Sequence, residues 1–239
     1  MLSRRSFCSC ASLALASGLI PQTVSKALAE PAACDVMTPK LQEAVSHNEA
    51  VARLKAGNAR FVSGHTVNCD LMRQVRETAR KQAPFAAILG CIDSRVPPEL
   101  VFDQRIGDVF CARIAGNFVN TDILGSLEFA TKVEGARSII VLGHSNCGAI
   151  KGAIDDVRLG NLTATLTHFR GALKATKTAG KRDSHNSEFV QHVAETNVRM
   201  TMKRMLKQST VLSGLVAAGQ LGIAGAMHDL ETGTVTFLA

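Results

Sequence analysis

The chain has 239 residues, 46% of them hydrophobic, with 19 glycines, 6 prolines and no long polar tract, enough apolar sequence for one substantial core. Ten Phe stand with no Trp and no Tyr, so stacking platforms for bases or sugars are scarce and no nucleic-acid partner is expected. The formal net charge is +7; setting aside Arg4, Arg5 and Lys26 leaves 24 basic against 20 acidic residues, a mild and scattered +4 that reads as solubility rather than a phosphate-binding face.

In chain order, paired Arg4 and Arg5 precede Phe7, a weakly apolar Ala/Ser/Leu run reaches Ile20, and Ala27-Leu28-Ala29 follows. This resembles a twin-arginine export signal with an A-x-A cleavage site. The expectation is a signal peptide over 1–29, a single domain over 30–239, and a folded protein delivered to the periplasm or otherwise exported. Phe7 to Ile20 falls short of the roughly 20 apolar residues of a spanning helix, so no stable membrane anchor is expected.

Beyond the leader, apolar spacing near three and four predicts helix over 39–63 and 70–81. The period then changes. Short continuous apolar runs at 85–91, 109–116 and 138–144 predict strands buried on both faces. Between them, "PPELVFDQ" predicts a short proline-started helix, and 121–135 a helix capped by Thr121 or Asp122 and closed by Gly135. Helical pattern returns over 148–155, 161–175 and 186–208, and "GIAGAMHDLETGTVTFL" reads as strand, Thr-Gly turn, strand. Buried strands alternating with helices give an α/β fold: a mainly parallel central sheet flanked by helices, with an N-terminal helical extension.

In such a sheet, ligands gather beyond the carboxyl ends of the strands. Cys91 ends the first buried run, His144 ends the third, and Cys147 opens the next helix. Neighbouring strands lie about 5 Å apart, so these three side chains can converge. Two thiolates and one imidazole suit zinc, and three protein ligands leave a fourth position open, the catalytic pattern. Either cysteine alone reads as an inert core thiol. Co-occurrence at strand ends reverses that reading.

"CIDSRVPPE" and "GHSNCGAI", separated by a strand, "RIAGN" and a helix, resemble the paired signatures of the β-class carbonic anhydrases. The resemblance extends from "NEAVARLKAGNARFVSG" through "ETNVRMTMKRMLKQS" to "GAMHDLETGTVTFL". It implies an enzyme with one zinc ion per chain, held by Cys91, His144 and Cys147, that hydrates carbon dioxide to bicarbonate and a proton. Asp93 and Arg95 would form a catalytic pair in which Asp93 orients the nucleophile. Arg95, planar and always charged, would restrain Asp93 from binding the metal itself. Gln82 would hydrogen-bond substrate and Gly148 would offer its backbone N–H beside the metal. A homodimer or dimer of dimers is implied too. The Trp and Tyr with which some members hold an inhibitory bicarbonate are absent here.

Alternatives on the same residues are a carbon disulfide or carbonyl sulfide hydrolase, a non-catalytic zinc protein in which Asp93 closes the site, and a thiol-redox protein. The last is disfavoured because Cys91 and Cys147 form no C-x-x-C motif. His65, His168, His185, His192 and His228 read as surface or cap residues, and Cys111 as a buried core thiol. Cys34 and Cys69, flanking the N-terminal helical region, are expected to pair in an oxidising compartment.

Overall fold

A computed structural model describes residues 34–238; the leader expectation lies outside the described residues. The elements follow in the order α1 (Pro39–Ala44), α2 (His47–Ser63), α3 (Leu71–Thr78), β1 (Ala86–Gly90), α4 (Pro98–Val101), β2 (Val109–Arg113), α5 (Thr121–Glu128), β3 (Ser138–His144) and α6 (Gly148–Ile154). Then come α7 (Gly160–Leu166), α8 (Arg170–Ala175), α9 (Ser187–Gln208), α10 (Thr210–Ala217), β4 (Gly222–His228) and β5 (Val235–Phe237). The strands form one sheet in the order β2-β1-β3-β4-β5, parallel throughout except for the antiparallel β4–β5 pair. The expected α/β architecture with a helical extension is therefore the one observed. No described helix is long and apolar enough to cross a membrane.

The period-two alternation of the central strands splits the core in two. Ala87 and Leu89 of β1 and Ile139 and Val141 of β3 face one side, packing with Ile150 of α6, Val193 and Val198 of α9 and Leu212 of α10. Ile88, Ile140 and Leu142 face the other, against Val45 and Leu54 of the N-terminal helical region and Val96 and Phe102 on either side of α4. Fully burying side chains of this size contributes about 1.5–3 kcal/mol each, and both layers of helix exist to provide that cover.

Four local expectations change. The single helix over 39–63 is two, because Ser46 caps α2 by accepting the Glu49 N–H at 3.2 Å while Thr38 caps α1. Neither Thr121 nor Asp122 caps α5; Asn120 does, accepting from Ile123 at 2.9 Å, and a π-helical turn over Phe129–Val133 carries the chain on to left-handed Gly135. The helix expected over 161–175 is broken by a 3-10 turn at Thr167–Phe169. In the last part, α10 was not anticipated: Ser209 ends α9 and caps the next helix by accepting the Leu212 N–H at 3.0 Å.

β2 was expected to be buried on both faces, yet all five of its residues are only partly buried. It is an edge strand, so its outer side lacks a neighbour. Cys111, at its middle, is accordingly half-buried rather than a core thiol. Cys34 and Cys69 form the expected disulfide, with Cα atoms 5.5 Å apart. It fastens the start of the described chain beside α3, where the Arg73 guanidinium donates to the Cys34 carbonyl.

Candidate metal centre and active site

Each ligand-type side chain is placed by the end of a strand or the start of a helix. Cys91 directly follows β1, and His144 is the last residue of β3, its parallel neighbour. Three residues later, Cys147 occupies the N-cap of α6; Asn146, in the left-handed region at φ 54, lets the chain reverse between them. Asn tolerates that region because its short polar side chain can bond locally. The two Sγ atoms and an imidazole nitrogen all lie within 4.8 Å of one another, and all three residues are buried.

Whether these residues suit a metal ion is answered by His144. Its Nδ1–H donates to the Ser145 carbonyl at 2.9 Å, which leaves Nε2 as the ring's free lone pair. Nε2 is fully buried and has no hydrogen-bond partner. A buried acceptor without a partner costs about 1–3 kcal/mol, and a cation shared with two thiolates removes that cost. Fixing the tautomer through a backbone carbonyl is also how metal-ligating histidines are oriented. The donor set of two sulfurs and one imidazole nitrogen fits zinc.

The thiols differ in a way that also favours a cation. Cys91 is held far below the ordinary thiol range, first by a hydrogen bond from Cys147 and then by the backbone N–H groups of Gly116 and Asp93. Cys147 is pushed far up by donating that bond, by burial and by the Cys91 charge. Without metal the pair thus keeps one proton between two sulfurs. A divalent ion held by both sulfurs would take the place of that proton and allow both to ionise.

Beside this cluster, Asp93 and Arg95 form a bidentate pair: Nε donates to Oδ1 at 2.9 Å and Nη2 to Oδ2 at 2.7 Å. The Arg95 backbone N–H adds a third bond to Oδ1 at 3.0 Å. These bonds hold the Asp93 carboxyl well below the usual carboxylate range, with the Arg95 side chain the largest cause. Oδ2 lies 3.9 Å from Nε2 of His144, so an anionic oxygen borders the space that the free lone pair faces.

The structure thus brings Cys91, His144, Cys147, Asp93 and Arg95 together. Gly148 joins them as the first residue of α6, exposed, with nothing within 4 Å of the place a Cβ would take. Gln82 does not: it is exposed in the loop before β1, whereas Cys91 follows the strand's opposite end. Nine residues of nearly extended chain separate the two, on the order of 30 Å at most. Within one chain Gln82 and Cys91 sit at opposite ends of the sheet.

Other neighbours escaped the sequence reading. Arg113, last in β2, donates to the backbone carbonyls of Cys91 and Asp93, fixing the loop between them. Gly116 donates its N–H to the Cys91 sulfur at 3.2 Å. His228, expected at the surface, is buried at the end of β4 opposite His144, and neither ring nitrogen has a partner. The strand register that aligns it with His144 is invisible in the local pattern "AMHDL".

A parallel sheet whose strand ends gather Cys, His and Cys around an unpartnered nitrogen defines a class of metal-capable α/β enzyme folds. Comparison with known proteins narrows the class. The family model for carbonic anhydrase matches residues 86–235, the span from β1 into β5. The chain belongs to the carbonic anhydrase family, in its β class. Carbonic anhydrase 2 of Mycobacterium tuberculosis is 36% identical over 186 residues, covering 75% of this chain and 87% of that protein. Among solved structures, tetrameric β-carbonic anhydrases of Sordaria macrospora align with TM-score 0.59 and 27% identity, covering 70% of this chain and 90% of theirs. The Coccomyxa β-carbonic anhydrase, solved with acetazolamide, aligns with TM-score 0.61 and 26% identity over 83% of this chain and 85% of its own.

Proposed function

We propose that the chain catalyses the zinc-dependent, reversible hydration of carbon dioxide to bicarbonate and a proton. The observation that carries this is the buried, unpartnered Nε2 of His144 meeting two buried thiols within 4.8 Å, in a chain of the carbonic anhydrase family. Cys91, His144 and Cys147 would hold the zinc. When bound, the metal supplies the Lewis acidity that makes hydroxide available as a nucleophile near neutral pH.

The protein's own groups then orient and restrain. Asp93 accepts the nucleophile's hydrogen bond and so aims its lone pair at carbon. Arg95 keeps the Asp93 carboxylate from turning to the metal itself. Gly148, with open space around it, borders room for the small linear substrate and can offer its N–H to the bicarbonate oxygen. Gln82 belongs to the site only if a second subunit delivers it, which fits a homodimer or dimer of dimers; the tetramers of Sordaria macrospora support an oligomer.

The protein is proposed to work outside the cytoplasm, after export through the paired Arg4 and Arg5. The Cys34–Cys69 disulfide supports this, because such bonds persist in oxidising compartments. Replacing Arg4 and Arg5 with lysine should leave the protein in the cytoplasm, and normal export of that variant would refute the assignment.

The catalytic proposal is tested by stopped-flow assay of the zinc-loaded protein with carbon dioxide, and separately with carbonyl sulfide and carbon disulfide. Rapid proton release from carbon dioxide is expected. Sulfide release from carbon disulfide without carbon dioxide hydration would assign the scaffold to the hydrolase instead, and inactivity with full zinc would leave a structural metal site.

A further inference from the structure

Of the motifs read from the sequence, "RIAGN" is the one to which the proposed mechanism gives no role. The structure shows what it touches. Gly116 adopts φ 77, and a Cβ there would lie 2.4 Å from Cζ of Phe169 and 3.3 Å from the Ala149 side chain, so only glycine fits between them. From that position its N–H points at the Cys91 sulfur, 3.2 Å away. Its carbonyl accepts from Nδ2 of Asn197 at 2.9 Å. Asn197 lies in the middle of α9, 1% exposed.

One peptide unit on either side of the Gly116 Cα is therefore gripped at both ends, by a sulfur on one side and an amide on the other. The rest of the loop is held by the Ile114 N–H to Gly90 O at 3.1 Å and by the Asn117 N–H to Ile114 O at 2.9 Å. Those bonds tie it to β1 and to itself; the Asn197 amide ties it to α9. The next residue of that helix, Val198, packs against Gly143, where a Cβ would meet its Cγ2 at 2.7 Å. Gly143 immediately precedes His144. Adjacent positions on one helix thus contact the loop that donates to Cys91 and the strand that ends in His144.

We infer that Asn197 is a positioning residue for the metal centre, acting through Gly116 to fix the N–H···S bond to Cys91. An N–H aimed at a ligating thiolate withdraws part of its charge and locks the Sγ direction, so the bond sets both how strongly and where the sulfur binds. Partners of this kind, one step removed from the metal, typically contribute 10–100-fold to its affinity. The inference rests on zinc being the ion bound at Cys91, His144 and Cys147.

The test uses the full chain loaded with zinc, and again with cobalt(II). Asn197→Asp keeps the shape but replaces the donor with an acceptor facing the Gly116 carbonyl; Asn197→Ser serves if that variant fails to fold. Thr201→Val, one turn along the same buried face, whose hydroxyl has no partner, controls for general disturbance of α9. The expected result is zinc loss to excess chelator about tenfold or more faster in the Asn197 variants, with a shifted thiolate-to-cobalt charge-transfer band, while Thr201→Val stays within twofold of the parent. Zinc loss within twofold and an unchanged band in the Asn197 variants would overturn the inference, and so would equal losses in the Thr201 control. A parent chain that takes up no zinc would instead defeat the metal assignment itself.

Discussion

Arg95 grips Asp93 through three donors, and the carboxylate so held stands 3.9 Å from the free nitrogen of His144. A carboxylate that close to a metal site is either an orienting group or a fourth ligand, and the proposed role of the guanidinium is to decide which. Arg95→Ala changes none of the three ligands, so zinc content should stay at the parent level. Carbon dioxide hydration should fall by roughly two orders of magnitude or more, the usual scale for losing a positioned catalytic group. Metal analysis alongside stopped-flow kinetics checks this; an Arg95→Ala protein with full zinc and near-parental rates would reduce the pair to a turn's ion pair. Asp93→Asn is the companion variant, expected to stay open yet slow, because its amide cannot compete as an anion and accepts poorly.

The same pair bears on pH. Because Arg95 holds the Asp93 carboxyl well below the usual carboxylate range, Asp93 remains ionised throughout the neutral and mildly acidic range. Loss of activity between about pH 6 and 8 should therefore track the nucleophile's own protonation, near pKa about 7, rather than that of Asp93. Asp93→Asn removes a negative charge beside the nucleophile, so the pH midpoint of hydration should move down while the rate drops, and a midpoint displaced upward would contradict this.

The Cys34–Cys69 bond closes a loop with a sequence separation of 35. Loop-closure entropy puts its worth at about 3–4 kcal/mol, so Cys69→Ser should lower stability in denaturant titrations by that order. Thiol counting on the denatured, zinc-stripped chain from residue 30 onward should find three free thiols, those of Cys91, Cys111 and Cys147. Five would mean the bridge does not form.

Stability should also fall in mild acid. His168 stacks on Phe118 with ring centroids 3.9 Å apart, and burial, helped by the Arg204 charge, lowers its pKa below the ordinary 6.5. The unfolded chain then binds a proton more readily than the folded one. The His168 contribution to stability is fully present above about pH 6.5 and is lost as pH falls through the lowered folded value. His168→Phe keeps the stack and removes the titration. Its stability curve between pH 7 and 5 should be shallower than the parent's, and identical slopes would show that His168 contributes nothing to acid sensitivity.

What could be read from sequence follows the range of the forces involved. β1 and β3 were legible because residues such as Ile88 and Ile140 sit in unbroken apolar runs, and Cys91 and His144 because each lies at the end of such a run, with Cys147 opening the next helix. The edge position of β2 was not legible: strand order is set by pairing between distant segments, and the run "VFCAR" looks the same at an edge as at the centre. The break before α2 was written in the spacing of Ser46 and Glu49, an S-x-x-E capping signal inside an otherwise helical pattern. Asn197 reaches Gly116 across 81 residues of sequence, and Arg113 reaches Cys91 across 22. Contacts of that kind exist only once the sheet and α9 have assembled. Gln82 illustrates the opposite limit, since the family resemblance marks a residue that the fold places at the other end of β1 from Cys91.

The most direct test of the metal-centred account is to measure zinc per chain and carbon dioxide hydration together, on the parent protein, after chelation, after zinc is restored, and in His144→Ala. The account predicts about one zinc per chain with rapid hydration, loss of both on chelation, recovery of both with zinc, and neither in His144→Ala. Hydration that survives complete removal of zinc, or a fully loaded parent chain that does not hydrate carbon dioxide, would contradict it.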